Sequence, residues 1–127
     1  MSQTGESFGL GPIGQIAVNV HDLERAIRFY RDTLGMRFLF QAPPQMAFFD
    51  CGGVRLMLGV PSEPAFDHPA SIIYYRVVDI HAVHDALVAR GVTFTEAPRF
   101  VAKLPDHDLW LAFFRDTEDN LLALMSE

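Results

Sequence analysis

One pattern is written twice in this chain, and that repetition limits its fold more than any single residue does. Residues 15–35 begin Gln-Ile-Ala-Val-Asn-Val-His-Asp-Leu and close at Gly35. Residues 72–91 begin Ile-Ile-Tyr-Tyr-Arg-Val-Val-Asp-Ile and close at Gly91, so Val20 answers Val77 and Asp22 answers Asp79. Further along, Gln41-Ala42-Pro43 answers Glu96-Ala97-Pro98, Met46–Asp50 answers Leu111–Arg115, and Leu56-Met57-Leu58 answers Leu122-Ala123-Leu124. A unit of about fifty residues is marginal alone. The two copies must therefore bury their apolar faces against each other or against a second chain.

Each copy has the same grammar. The β-branched run from Ile13 to Val20 reads as a strand ending at Asp22, whose carboxylate suits a helix start. Leu23, Ala26, Ile27, Tyr30 and Leu34 then recur at helical spacing, and Gly35 stands where a helix stops. Three short β-rich runs follow, Met36–Phe40, Met46–Cys51 and Val54–Gly59, with Gly52-Gly53 as a tight turn. The second copy gives strands at 72–77, 93–95, 109–115 and 121–125 around a helix over 80–90, with 116–120 as its last turn. The unit is β-α-β-β-β and the class is α+β. Residues 1–10 read as a loose tail and 11–127 as one domain, built from modules 11–60 and 70–127 joined by a Pro-rich connector, 61–69.

Composition narrows the partners. Of 127 residues, 50% are hydrophobic and eleven are Phe, enough for a sizeable core. A net charge of −6 with no basic run argues against nucleic acid, which is held by clustered Lys and Arg. No apolar stretch approaches the roughly 20 residues that cross a bilayer, and the first ten residues lack a secretory pattern. The single cysteine, Cys51, excludes an internal disulfide and reads as a small buried hydrophobe, which fits a cytoplasmic protein.

The segments Ile16-Ala-Val-Asn-Val-His-Asp-Leu-Glu-Arg-Ala-Ile-Arg-Phe-Tyr-Arg-Asp-Thr-Leu-Gly35, Gly52-Gly-Val-Arg-Leu-Met-Leu58 and Phe113-Phe-Arg-Asp-Thr-Glu-Asp-Asn-Leu-Leu122 resemble the glyoxalase, bleomycin-resistance and extradiol dioxygenase superfamily. The resemblance covers nearly everything beyond the tail. It implies tandem βαβββ modules curved into a half-open sheet or barrel around a pocket, usually in a homodimer. In metal-using relatives, the first and last strands of each module supply up to four His, Gln or Glu ligands. By alignment of the repeat these positions are Gln15, Ile72, Met57 and Ala123. Ile72 and Ala123 cannot coordinate, and a thioether is too soft for the usual divalent ions. No metal and no cofactor are therefore expected. The turn at Thr117-Glu-Asp119 also departs from the Pro and Gly usual in relatives, and it should persist with a residue at positive φ.

Strand alternation places Gln15, Ala17, Asn19, Arg55, Met57, Ile72, Tyr74, Arg76, Leu121, Ala123 and Met125 in phase with that absent site. The mixture of apolar walls and a few polar heads suits a small organic ligand; the two arginines suit an acidic group on it while the acidic chain suits a cation, so the sequence leaves its charge open. His107, flanked by Asp106 and Asp108 and followed by Trp110, is the leading acid–base candidate if the protein is instead an enzyme, and Trp110 is a candidate ligand contact or else a core or dimer-interface anchor. The enzyme alternative is a lyase, isomerase or dioxygenase with unfamiliar metal ligands or metal-free acid–base chemistry. A scaffold module with a vestigial pocket is a third reading. His81 and His84 are expected on a solvated helix face, and His21 and His68 in exposed loops.

Overall fold

The computed structural model describes residues 9–126, so the first eight positions of the expected tail lie outside the described residues. Two modules follow one another. The first contains β1 (Gln15–Asn19), α1 (Leu23–Arg28), β2 (Arg37–Ala42), β3 (Met46–Cys51) and β4 (Val54–Gly59). The second contains β5 (Ile73–Arg76), α2 (Ile80–Ala89), β6 (Phe94–Lys103), β7 (Asp108–Arg115) and β8 (Leu121–Ser126). Each forms a four-stranded open sheet, ordered β1-β4-β3-β2 and β5-β8-β7-β6, with only the first pair parallel. The repeated β-α-β-β-β grammar is thus present in both halves, and the sheets do not close into a barrel. No helix is long and apolar enough to cross a membrane among the described residues.

Both helices start as the sequence dictates. The carboxylate of Asp22 accepts from the Arg25 N–H and that of Asp79 from the Ala82 N–H, satisfying donors that a first turn leaves unpaired. The first helix departs from expectation after Arg28: Phe29–Thr33 is a π-helical turn, with the Leu34 N–H donating to the Phe29 carbonyl. Gly35 then leaves it at φ +74°. The Gly52-Gly53 turn has φ of +62° and +90°, the left-handed pair that a tight hairpin needs.

The helix-facing sides of both sheets meet in one core. Val18, Leu56, Leu58 and Phe49 from the first sheet share it with Ala112, Phe114, Leu122 and Leu124 from the second. Ala26, Ile27 and Tyr30 of the first helical segment and Ile80 and Leu87 of α2 complete it. Burying each large side chain here contributes about 1.5–3 kcal/mol. The modules are also stitched by polar contacts. The Tyr30 hydroxyl donates to Asp116 at 2.7 Å, Asn120 Nδ2 donates to the Asn19 carbonyl at 3.1 Å, and Arg90 donates to the Thr33 carbonyl at 2.8 Å.

Two expectations need correction. The strand expected at 93–95 runs through Lys103, because β6 is an edge strand that tolerates Pro98 and several register shifts against β7. The helical histidines are not simply solvated: the His84 ring packs 4.4 Å from Phe94 and that of His81 4.9 Å from Trp110. These aromatic neighbours lie on a strand pair too distant in sequence for helical spacing to reveal. His21 is exposed, as expected, with its Nε2 3.1 Å from Asp67 of the connector.

Candidate ligand-binding face

The registers define what lies on the side of the first sheet turned away from the helices. Gln15 pairs with Arg55, Ala17 with Met57 and Asn19 with Gly59 across β1 and β4. Phe48 stands opposite Met57, and Met46 opposite Gly59, across β3 and β4. Phe40 comes next across β2 and β3. The in-phase set expected on β1 and β4 is therefore gathered on one face.

At one end of this face, Arg55 Nε donates to Gln15 Oε1 at 2.9 Å, and Gln15 Nε2 lies 3.7 Å from the Met57 sulfur. The Arg55 guanidinium carbon sits 5.1 Å from the centre of the Phe48 ring, a cation–π arrangement. Phe48 is buried and its ring is 4.7 Å from that of Phe40. At the other end is a hollow of about 290 Å³ walled by Ala17, Asn19, Met46, Met57, Gly59 and Phe66. The connector forms one side of it. Asn19 Nδ2 donates to the carbonyls of Phe66 and His68, which fixes the short 3-10 turn Pro64–Phe66 over the strand ends.

On the second sheet, Tyr74 pairs with Ala123 and Arg76 with Met125, and Ala123 faces Phe113 of β7. Ala123 is fully buried, Tyr74 is 45% exposed with its ring against Phe113, and Ile72, just before β5, is 41% exposed. Leu121 is half-buried opposite Arg115. Among the described residues, no hydrogen bond or ring contact joins Gln15, Asn19, Arg55 or Met57 to Tyr74 or Phe113. The structure thus assembles two half-faces, one per module.

Trp110 does not belong to either. It alternates with Leu111 and Phe113 and packs with the core on the α2 side, against His81; its strand position puts it out of phase. His107 lies in the turn between β6 and β7, where its carbonyl accepts from the Leu104 N–H, and not on a strand of either face. Cys51 is half-buried, and burial followed by the neighbouring Asp50 charge pushes its thiol up from the ordinary value, the opposite of nucleophile activation.

The positions that the resemblance assigns to metal ligands, Gln15, Met57, Ile72 and Ala123, carry a donor set that does not suit a hard cation. The amide oxygen of Gln15 is taken by a guanidinium, Met57 offers a thioether, and Ile72 and Ala123 offer hydrocarbon. Among the described residues no group of three His, Cys, Asp or Glu side chains is placed to hold an ion.

Phe40, Met46, Phe48, Gly59, Phe66 and His68 were not anticipated. Phe48 and Met46 follow from cross-strand pairing, which sequence alone does not supply, and the last two sit in a connector without periodicity. Glu118 was also missed. Its side chain is 2% exposed; it accepts from the N–H groups of His21 and Asp22 at 2.7 and 3.0 Å and from Arg25 at 2.6 Å. The only sequence signal was its place in the turn that departs from the usual pattern.

Tandem modules with helices behind and an apolar hollow in front define a paired-module α+β fold. The chain belongs to the Glyoxalase/Bleomycin resistance protein/Dioxygenase superfamily, whose model matches residues 12–124. A member of that superfamily from Sphaerobacter thermophilus is 26% identical, with a TM-score of 0.76 over 93% of this chain and 98% of the other. TnmS3, an antibiotic binding protein from a Streptomyces species, is 24% identical, with a TM-score of 0.78 over 94% and 98%. Lactoylglutathione lyase from Agrobacterium tumefaciens is 21% identical, with a TM-score of 0.71 over 93% and 95%.

Proposed function

We propose that this protein binds a small organic molecule without a metal ion, in the hollow at the front of β1 and β4. The observation that carries this reading is the hollow walled by Ala17, Met46, Met57, Gly59 and Phe66, with the Gln15–Arg55 pair as a polar rim at the far end of the same strand face. Such a rim orients a ligand, and the walls supply the affinity. The antibiotic-binding TnmS3 is a precedent on the same fold, though the likeness extends only to architecture.

The hollow alone, about 290 Å³, sits at the lower limit for an organic ligand. A complete seat needs a further wall. The half-face of Tyr74, Arg76, Leu121, Ala123 and Met125 has the matching chemistry, and we place it across the hollow from a second copy of the chain in a homodimer. Support comes from the half-exposed aromatic residues on both half-faces, Phe40 and Tyr74, and from the modules joining through the helix side within one chain. Acid–base catalysis by His107 gains no support from its place in the β6–β7 turn.

The test is metal analysis of protein purified without chelator, alongside ligand binding before and after chelation. We expect metal well below one equivalent per chain and binding that chelation leaves unchanged. Stoichiometric zinc, nickel, iron or manganese, lost together with binding, would overturn the proposal.

A further inference from the structure

We infer that the ligand is a planar aromatic anion, its charged oxygens gripped by Arg55 and its ring system running along Met57 toward the hollow. This rests on the binding reading above and adds a ligand class to it. Arg55 is held in a way that leaves its useful edge unoccupied. Its Nε is spent on Gln15 and its face on Phe48, while its two terminal nitrogens make no hydrogen bond or ion pair among the described residues.

The expected competitor is engaged elsewhere. Asp50 stands directly across the ladder from Arg55, but its carboxylate accepts from the Gly53 N–H at 3.4 Å and lies 3.9 Å from Arg37. A guanidinium fixed in plane, with both terminal nitrogens open, matches two oxygens of a carboxylate or sulfonate. A long flexible arginine loses orientational freedom on binding; here much of that loss precedes the ligand, because Gln15 and Phe48 already hold the group.

The surroundings select the rest of the molecule. Phe48, buried beneath the guanidinium, and the half-exposed Phe40 beside it make the neighbourhood aromatic, and Met57 faces Phe48 across the ladder. From Arg55 to Gly59 the same strand face extends four residues, about 13 Å, and ends in the hollow. A fused or linked two-ring system with an anionic end spans that length. A cationic ligand would meet Arg55 with like charge, so the chain's net negative charge does not predict what this face accepts.

Two dyes with one skeleton isolate the charge: 6-(p-toluidino)-2-naphthalenesulfonate, whose sulfonate is at one end, and the neutral N-(p-tolyl)-2-naphthylamine. Fluorescence titration of the full chain should show the sulfonate binding about tenfold or more tightly than the neutral dye. In Arg55→Gln the two affinities should converge by loss of sulfonate binding, with the neutral dye unchanged, and Arg55→Lys should keep only part of the preference. Equal affinities in the unmodified protein, a preference that survives Arg55→Gln, or no binding of either dye would overturn the inference. Gly59→Phe, which fills the hollow, tests the underlying reading separately: it should weaken both dyes. If neither dye is weakened by it, the hollow is misplaced, whatever the ratio between the dyes shows.

Discussion

Asp116 is a buried carboxylate, 7% exposed, and it is kept there by four donors. The N–H groups of Glu118 and Asn120 and the Asn120 amide come from its own turn, and the Tyr30 hydroxyl comes from the other module. Burial, reinforced by this carboxylate, pushes the Tyr30 hydroxyl well above its ordinary pKa, so it donates throughout the accessible pH range. Tyr30→Phe should lower stability by about 1–3 kcal/mol, read as a lower urea midpoint at unchanged slope. Glu118 adds a pH-dependent seam. Burial alone would raise its carboxyl pKa, but the N–H groups of His21 and Asp22 and the Arg25 guanidinium outweigh that and hold it below the usual value. A depressed folded pKa means the contribution is complete above the unfolded value, about 4.3, and is lost as pH falls through the folded one. Glu118→Gln should therefore be less stable than the parent at pH 7, with the gap closing on acidification below about pH 4. Urea titrations across that range check it; a gap independent of pH would refute the assignment.

At the level of elements, the connector is the segment to test. Asn19 holds it by two backbone carbonyls, and the connector forms one side of the hollow. Asn19→Ala should speed proteolytic cleavage within 61–69 and weaken binding of a ligand seated there by about tenfold, the worth of one or two hydrogen bonds. Unchanged cleavage would show that the connector is held by packing alone. The elements themselves were largely legible, because apolar period, Asp caps and glycine stops repeat in both modules. What escaped has physical causes. The π-helical turn after Arg28 keeps the same buried residues as an α-helix would, so Ala26, Ile27 and Tyr30 did not distinguish them. The length of β6 was hidden by Pro98 and by charged residues that an edge strand tolerates. The candidate face was half legible: alternation found Gln15, Arg55 and Met57, while Phe48 entered only through pairing and Trp110 fell on the other side.

For the whole molecule, the open question is what covers the two half-faces. We expect a mass in light scattering of about twice the 14.3 kDa of one chain. Tyr74→Glu, which puts a charge on the half-exposed second face, should shift the protein toward 14.3 kDa and weaken ligand binding together. A dimer unaffected by this change would place the contact on another surface. The duplication also carries a consequence for how any guest is seated. Gln15 and Arg55 are neighbours across one ladder, and the repeat sets Ile72 and Leu121 in their places in the other module. Two halves alike in shape are unlike in chemistry, so the cleft they would enclose in the proposed dimer has a polarity of its own, and a molecule with distinct ends should enter it in only one sense.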